Sequence, residues 1–192
     1  MKTIEIQLYK FDELSDEAKQ NAIEMQRNNE YNIDLDFFKD DAKEQIDNAG
    51  FKGNVSLSYS LSYCQGDGLS FNCDYFDKLN NLFIEVLGER KQKTIDCIIN
   101  ELAFSLDNNS NRYCFASKSD LDLTLENYNR NYNNIESVVS KVREKLEDLY
   151  MDLCKDLENK GYSEIEWQNS DEYISEMLIS NEYDFTENGI QY

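Results

Sequence analysis

Between Val55 and Cys73 the chain reads VSLSYSLSYCQGDGLSFNC, and the first part of that stretch leaves little choice of conformation. Val55, Leu57, Tyr59, Leu61 and Tyr63 alternate without a break with Ser56, Ser58, Ser60 and Ser62. A repeat of two sets apolar side chains on one face and hydroxyls on the other, which is the pattern of a strand and not of a helix. Gln65-Gly66-Asp67-Gly68 interrupts it, and Leu69, Phe71 and Cys73 resume it. The stretch therefore predicts an antiparallel hairpin with one face on a core and the other in water.

The flanking segments supply material to cover such a hairpin. Ile4, Ile6 and Leu8 alternate with Glu5 and Gln7 and predict a short first strand. Ser15 reads as a helix N-cap, with Asp16 and Glu17 in the first turn, where the helix dipole favours negative charge. Ala18, Ala22 and Met25 form the inner side of that helix, and Asn28-Asn29-Glu30 ends it. A second helix starts near Asp34, with Leu35, Phe38, Ala42 and Ile46 inward. Leu82 to Leu87 is apolar, and Thr94 to Leu106 predicts a third helix on Ile95, Ile98, Ile99, Leu102 and Leu106.

Asp107 to Asn111 is a turn by composition. Arg112 to Ala116, and then Leu121, Leu123 and Leu125, supply one or two further strands. The longest helix is expected from about Ile135 to Leu157, where Val138, Val139, Val142, Leu146, Leu149, Tyr150 and Leu153 share one arc. Ser170 caps a last helix with Ile174, Met177 and Leu178 inward, and Tyr183 and Phe185 suit a closing edge strand. There is no internal repeat and no linker. The expected architecture is a single α+β domain over residues 1–192: an antiparallel sheet built on the central hairpin, covered by amphipathic helices including one long helix.

Charge narrows the function. Lys and Arg total 19 against 39 Asp and Glu, a net charge of −20, while 12% aromatic content in periodic patterns argues for a folded chain. Such a surface repels nucleic acid and anionic membranes and attracts basic proteins. From Glu144 onward fourteen acids face only Lys145, Lys155 and Lys160, a net −11. Asp36, Asp40, Asp41 and Glu44 on the second helix, with Glu144, Glu147 and Asp148 on the long one, are the candidate partner-binding carboxylates. Held on rigid elements, they can occupy a basic groove that normally grips phosphates. Gln65 and Asp67, at the end of the hairpin, are candidate contacts beside them. The plainer readings are a solvated face that aids solubility and a turn whose Asp67 bonds its own backbone.

Five cysteines, no histidine and no proline bound the chemistry. The opening residues, MKTIEIQLYKFDEL, lack the apolar run of a signal peptide, and no stretch reaches the ~18 apolar residues of a membrane span. Reduced thiols in a cytoplasm are the expectation. Without histidine the usual near-neutral base and the commonest metal ligand are missing. Cys64, Cys73 and Cys114 are the candidate ligands of a zinc ion, although no C-x-x-C spacing is present. Cys97 and Cys154 read as small packing residues. No cofactor is required by this pattern, and no nucleophile–base arrangement marks an enzyme.

Three stretches carry a resemblance: YKFDELSDEAKQNAI at Tyr9 to Ile23, SYCQGDGLSF at Ser62 to Phe71, and NEYDFTENG at Asn181 to Gly189. Together they resemble a family of phage, prophage and bacterial proteins, some labelled antitoxin-like. The resemblance implies a phage-borne context, in which small proteins act against host defence in the host cytoplasm. Joined to the acidity, it leads to the expectation of an inhibitor, anti-CRISPR or anti-restriction. Its partner would be a basic CRISPR effector or restriction nuclease, kept from loading DNA by an acidic, DNA-mimicking surface. An antitoxin or other module neutralising one cognate protein is the alternative, and a metal-stabilised domain or metal-dependent enzyme a further one. The acidity and the cysteines are not part of the family pattern and belong to this chain alone.

Overall fold

The computed structural model describes residues 6–28, 33–108, 113–126 and 133–192. Along these run β1 (Tyr9–Lys10), α1 (Asp16–Arg27), α2 (Asp36–Ala49), β2 (Phe51–Lys52), β3 (Ser56–Ser60), β4 (Gly68–Asn72) and β5 (Tyr75–Phe76). After them come α3 (Leu79–Leu87), α4 (Gln92–Ile99), β6 (Leu102–Asn108), β7 (Ser119–Leu125), α5 (Asn133–Gln168), α6 (Asp171–Ser180) and β8 (Asp184–Phe185). This is an α+β fold with one long helix, as expected. Its strands form four two-stranded antiparallel ladders, β1–β8, β2–β5, β3–β4 and β6–β7, rather than one continuous sheet. The chain divides into two compact units, residues 1–35 with 162–192, and residues 36–161.

The first unit is assembled from the two ends of the described sequence. Ser15 caps α1 as predicted, its hydroxyl accepting from the Ala18 amide at 3.3 Å. Ser170 does the same for α6 through the Tyr173 amide at 3.2 Å. Either cap is worth roughly 1 kcal/mol. Ala18, Ala22 and Ile23 of α1 pack with Ile174 and Leu178 of α6, and with Phe11, Leu14 and Phe185, in one buried cluster. Tyr9 pairs with Phe185 and Lys10 with Asp184 across β1–β8, and the Lys10 ammonium lies 2.7 Å from the Asp184 carboxylate.

The second unit holds the hairpin, which runs in register from Ser56 opposite Asn72 to Ser60 opposite Gly68. Phe71 on β4 sits 5.1 Å from Phe51 and 4.9 Å from Tyr150 between ring centroids, and Phe76 lies 4.9 Å from Phe51. Tyr150 comes from α5 and brings a hydroxyl into this aromatic cluster. That hydroxyl lies 2.7 Å from Ser119 Oγ and donates to the Phe71 carbonyl at 3.2 Å, so it is not left unpaired. Burial raises its pKa above the usual tyrosine value. A neighbouring cluster joins Phe83, Ile95, Ile98, Leu123, Val139 and Val142. Helix α5 passes its expected end at Leu157 and runs on to Gln168; Gly161 within it sits at a close approach, where a Cβ would lie 2.5 Å from Leu61 Cδ1.

Several expected elements differ. The third helix stops at Ile99, and Leu102 to Leu106 belong to β6. The reason is the partner strand: Leu102, Phe104 and Leu106 face Leu125, Leu123 and Leu121 in register, a period-two match that a helix would forfeit. The first strand is Tyr9–Lys10 and does not include Ile6 to Leu8, while Ile4 and Glu5 lie outside the described residues. Residues 113–115 form no strand, and Arg112 lies outside the described residues, as do Asn109 to Asn111 and Asn29 to Glu30. Met25 is exposed and Ile23 takes the inner position; Cys97 is exposed rather than packed.

Two glycines at similar positive φ separate backbone strain from crowding. Gly88 (φ 83°) has open space where a Cβ would stand, whereas a Cβ on Gly189 (φ 78°) would lie 2.0 Å from the Ala18 carbonyl oxygen. Gly88→Ala is expected to cost about 1–2 kcal/mol from backbone strain alone, since φ 83° with ψ 150° is a region that only glycine adopts readily. Gly189→Ala is expected to cost about 2–5 kcal/mol, because backbone must also move. Urea melts of both variants check the order.

Candidate functional site

Grouped by unit, the charges are far from evenly spread. Residues 1–35 and 162–192 carry four Lys or Arg against sixteen Asp or Glu, a formal −12. Residues 36–161, about twice as many, carry fifteen against twenty-three, a formal −8. In the first unit the ion pairs among the described residues are Lys10–Asp184 and Arg27–Asp171. Most of its described carboxylates thus form no ion pair among the described residues.

One concave part of this surface is built by α1 and the tail. Glu17, Gln20, Asn21 and Glu24 recur at helical spacing on the exposed side of α1. Asn21 Nδ2 donates to the Asn188 carbonyl at 2.7 Å and holds the turn from Thr186 to Gly189 against the helix. The result is an open groove of 450 Å³ lined by Glu17, Glu24, Glu187, Gln20, Asn21 and Asn188, with Ser15 and Ala18. Three carboxylates with amide neighbours, and no Lys or Arg in the lining, present acceptors suited to ammonium and guanidinium groups.

The sequence-predicted carboxylates all lie in the second unit. Asp36, Asp40, Asp41 and Glu44 are exposed on α2, and Glu144 and Asp148 are exposed on α5 with Glu147 half-buried. Cations stand among them. Lys39 lies 2.7 Å from Asp36 and holds its carboxyl below the usual range, and Asp36 lifts Lys39 in turn. Arg143 Nε lies 3.2 Å from Glu147 Oε1, off the direction of a hydrogen bond, and Lys145 lies 2.9 Å from Glu85. Helix α2 meets α5 where Gln45 bonds Lys160 and Phe38 approaches Gly161. At 1.5 Å per residue, Asp148 and Glu144 lie roughly 18–24 Å back along α5 from that crossing. The two predicted sets therefore occupy separate stretches of surface.

At the end of the hairpin Gln65 is exposed but Asp67 is buried. The Asp67 carboxylate accepts from the Ser62 amide at 2.7 Å, the Cys64 amide at 2.9 Å and Ser60 Oγ at 2.9 Å. It braces the reversal, as the plainer reading of the loop has it. Cys64 Sγ donates to the same carboxylate at 3.1 Å. Cys73 is buried and donates to the Tyr75 carbonyl at 3.7 Å, and burial pushes its thiol up to about 11. Burial raises Cys114 also, and pushes Cys154 up to about 12. Among the described residues, no three His, Cys, Asp or Glu side chains converge as ligands. None of their helices is long and apolar enough to cross a membrane.

Sequence reasoning missed the joining of α1 to the tail, and with it the densest charge. A signal was present: no Lys or Arg follows Lys160. For the hairpin end, the bracing role of Asp67 has a direct check. Asp67→Ala is expected to lower stability by about 1–3 kcal/mol, since it removes the acceptor of the part-buried Ser62 and Cys64 amides and of Ser60 Oγ. Gln65→Ala, at the exposed tip, is expected to stay within about 0.5 kcal/mol of the parent in the same denaturant melts.

No protein-family model matches this chain, and comparisons with curated proteins and with solved structures give no match.

Proposed function

We propose that the chain acts by binding, and that it offers fixed carboxylates to a basic, nucleic-acid-handling protein at the place where that protein grips a polynucleotide backbone. The observation that carries this reading is the first unit, with its formal −12 and few internal ion pairs. Lys and Arg side chains that neutralise phosphates pair equally well with carboxylates, through charge-assisted hydrogen bonds. The groove of Glu17, Glu24 and Glu187 is the primary contact. Asp36, Asp40, Asp41, Glu44, Glu144, Glu147 and Asp148 extend the negative potential over the second unit, in part balanced by neighbouring lysines and Arg143.

In its concrete form the protein is a phage-type inhibitor, anti-CRISPR or anti-restriction, that competes with DNA for a defence nuclease. The three stretches that resemble phage proteins support that context, and the acidity supports the competition. The test is a gel-shift assay of DNA loading by CRISPR effectors and restriction nucleases of the host, with the purified chain as competitor. Loading is expected to be blocked at ~0.1 M salt, and the block to weaken roughly tenfold or more at ~0.5 M, where screening lengths fall below ~5 Å. Triple replacement of Glu17, Glu24 and Glu187 by Gln is expected to weaken it at low salt also. Inhibition indifferent to both salt and these replacements would contradict the mechanism, and so would unimpeded loading.

A further inference from the structure

Trp167 is the single tryptophan of the chain and stands on the last turn of α5 with 46% of its surface exposed. Its ring packs edge-on with that of Tyr173 from α6, centroids 6.0 Å apart and planes at 64°. An edge-to-face pair covers at most one face of one ring, so aromatic face remains open. Glu164 precedes Trp167 by three residues on α5, and Glu176 follows Tyr173 by three on α6. At that spacing each carboxylate stands on the same side of its helix as the aromatic it flanks. The two acids thus bracket the two rings.

The surroundings settle the sign of the charge this corner accepts. Residues 162–192 contain eight Asp or Glu and no Lys or Arg. Arg27 approaches from α1, but it is bound to the Asn169 carbonyl at 2.9 Å and to the Asp171 carboxylate, which it neutralises. Glu164 accepts from Gln168 Nε2 at 2.8 Å, and neither Glu164 nor Glu176 has an ion pair among the described residues. A half-exposed aromatic pair in a strongly negative field favours a cation with a flat apolar face. Guanidinium fits: it stacks on an indole or phenol ring and forks its N–H groups to a carboxylate beside it. An ammonium lacks the plane, and a second copy of this chain would bring its own excess of carboxylates.

We propose that the Trp167–Tyr173 pair, bracketed by Glu164 and Glu176, receives an arginine side chain of the basic partner. This rests on the acidic-binding reading and adds to it a preference for arginine over lysine at one point of the surface.

The single tryptophan makes the test direct. Dye-labelled hexa-arginine and hexalysine are titrated into the full chain at ~0.1 M salt, with binding read from the dye's anisotropy and the corner read from Trp167 emission. Both peptides are expected to bind, hexa-arginine about 5–10-fold tighter, and hexa-arginine alone to shift or quench Trp167. Glu164→Gln with Glu176→Gln, which keeps an acceptor oxygen at both positions and removes the charge, is expected to reduce that preference below about twofold. Tyr173→Leu is expected to do the same. Equal binding of both peptides with unchanged Trp167 emission overturns this inference and leaves the acidic-binding reading intact. Absence of binding by either peptide overturns both. Emission that changes on dilution of the chain alone assigns the corner to a second copy and overturns the arginine site.

Discussion

Mutual repulsion among carboxylates is the constraint under which every element of this chain packs. A net charge of −20 on 192 residues destabilises any compact state, and the two units meet it differently. In the second unit cations are set among the acids. Lys52 lies 2.6 Å from Asp47 and 3.9 Å from Asp77, Lys160 lies 2.7 Å from Asp156, and Arg143 lies between Glu147 and Asp122. Exposed pairs of this kind contribute ~0–1 kcal/mol each, so their main effect is local neutralisation. The first unit has less of that relief, from Lys10–Asp184 and Arg27–Asp171, and is held by Phe11, Leu14, Ile23, Ile174, Leu178 and Phe185, by two serine caps and by a two-residue ladder. Leaving charge unbalanced on the smaller core is a cost to folding. A binding role gives that cost a use.

How much of this was legible in the sequence depended on whether the deciding contact was local. The hairpin was legible in part: alternation marked both strands, but Leu61 and Tyr63 leave β3, and Ser70, expected to face water, is buried on β4. The serine caps were legible because their contacts are local. Leu102 to Leu106 was not: its apolar residues continue the stripe of Ile95, Ile98 and Ile99 and also alternate with period two. Only β7, a partner some twenty residues away, decides for the strand. The continuation of α5 past Leu157 was not legible either, and the close approach of Leu61 and Phe38 at Gly161 is invisible along the chain.

The site was half legible. Acidity after Glu144 stood out, but the chosen carboxylates were those on the most regular helices, where Lys39, Lys43, Lys141, Arg143 and Lys145 also recur. The groove needed the pairing of β1 with β8 and the Asn21–Asn188 contact, which bring residues 17 and 187 together. With that pairing in place, the first unit offers two kinds of contact to a basic surface. Carboxylates around the groove provide attraction that any cation feels. The aromatic corner at Trp167 is the flat face proposed to distinguish between cations.

The central claim is that the first unit, and not the total charge, makes the contact. The most direct measurement replaces five carboxylates by amides in each unit separately: Glu17, Glu24, Glu166, Glu172 and Glu187 in one variant, Asp40, Asp41, Glu44, Glu144 and Asp148 in the other. Both variants gain the same five units of charge, and the slope of log affinity against log salt is read for a basic protein shown to bind the parent chain. The account predicts a slope markedly shallower for the first variant and close to the parent for the second. Equal losses in the two variants would contradict it, because the chain would then be acting through its net charge alone.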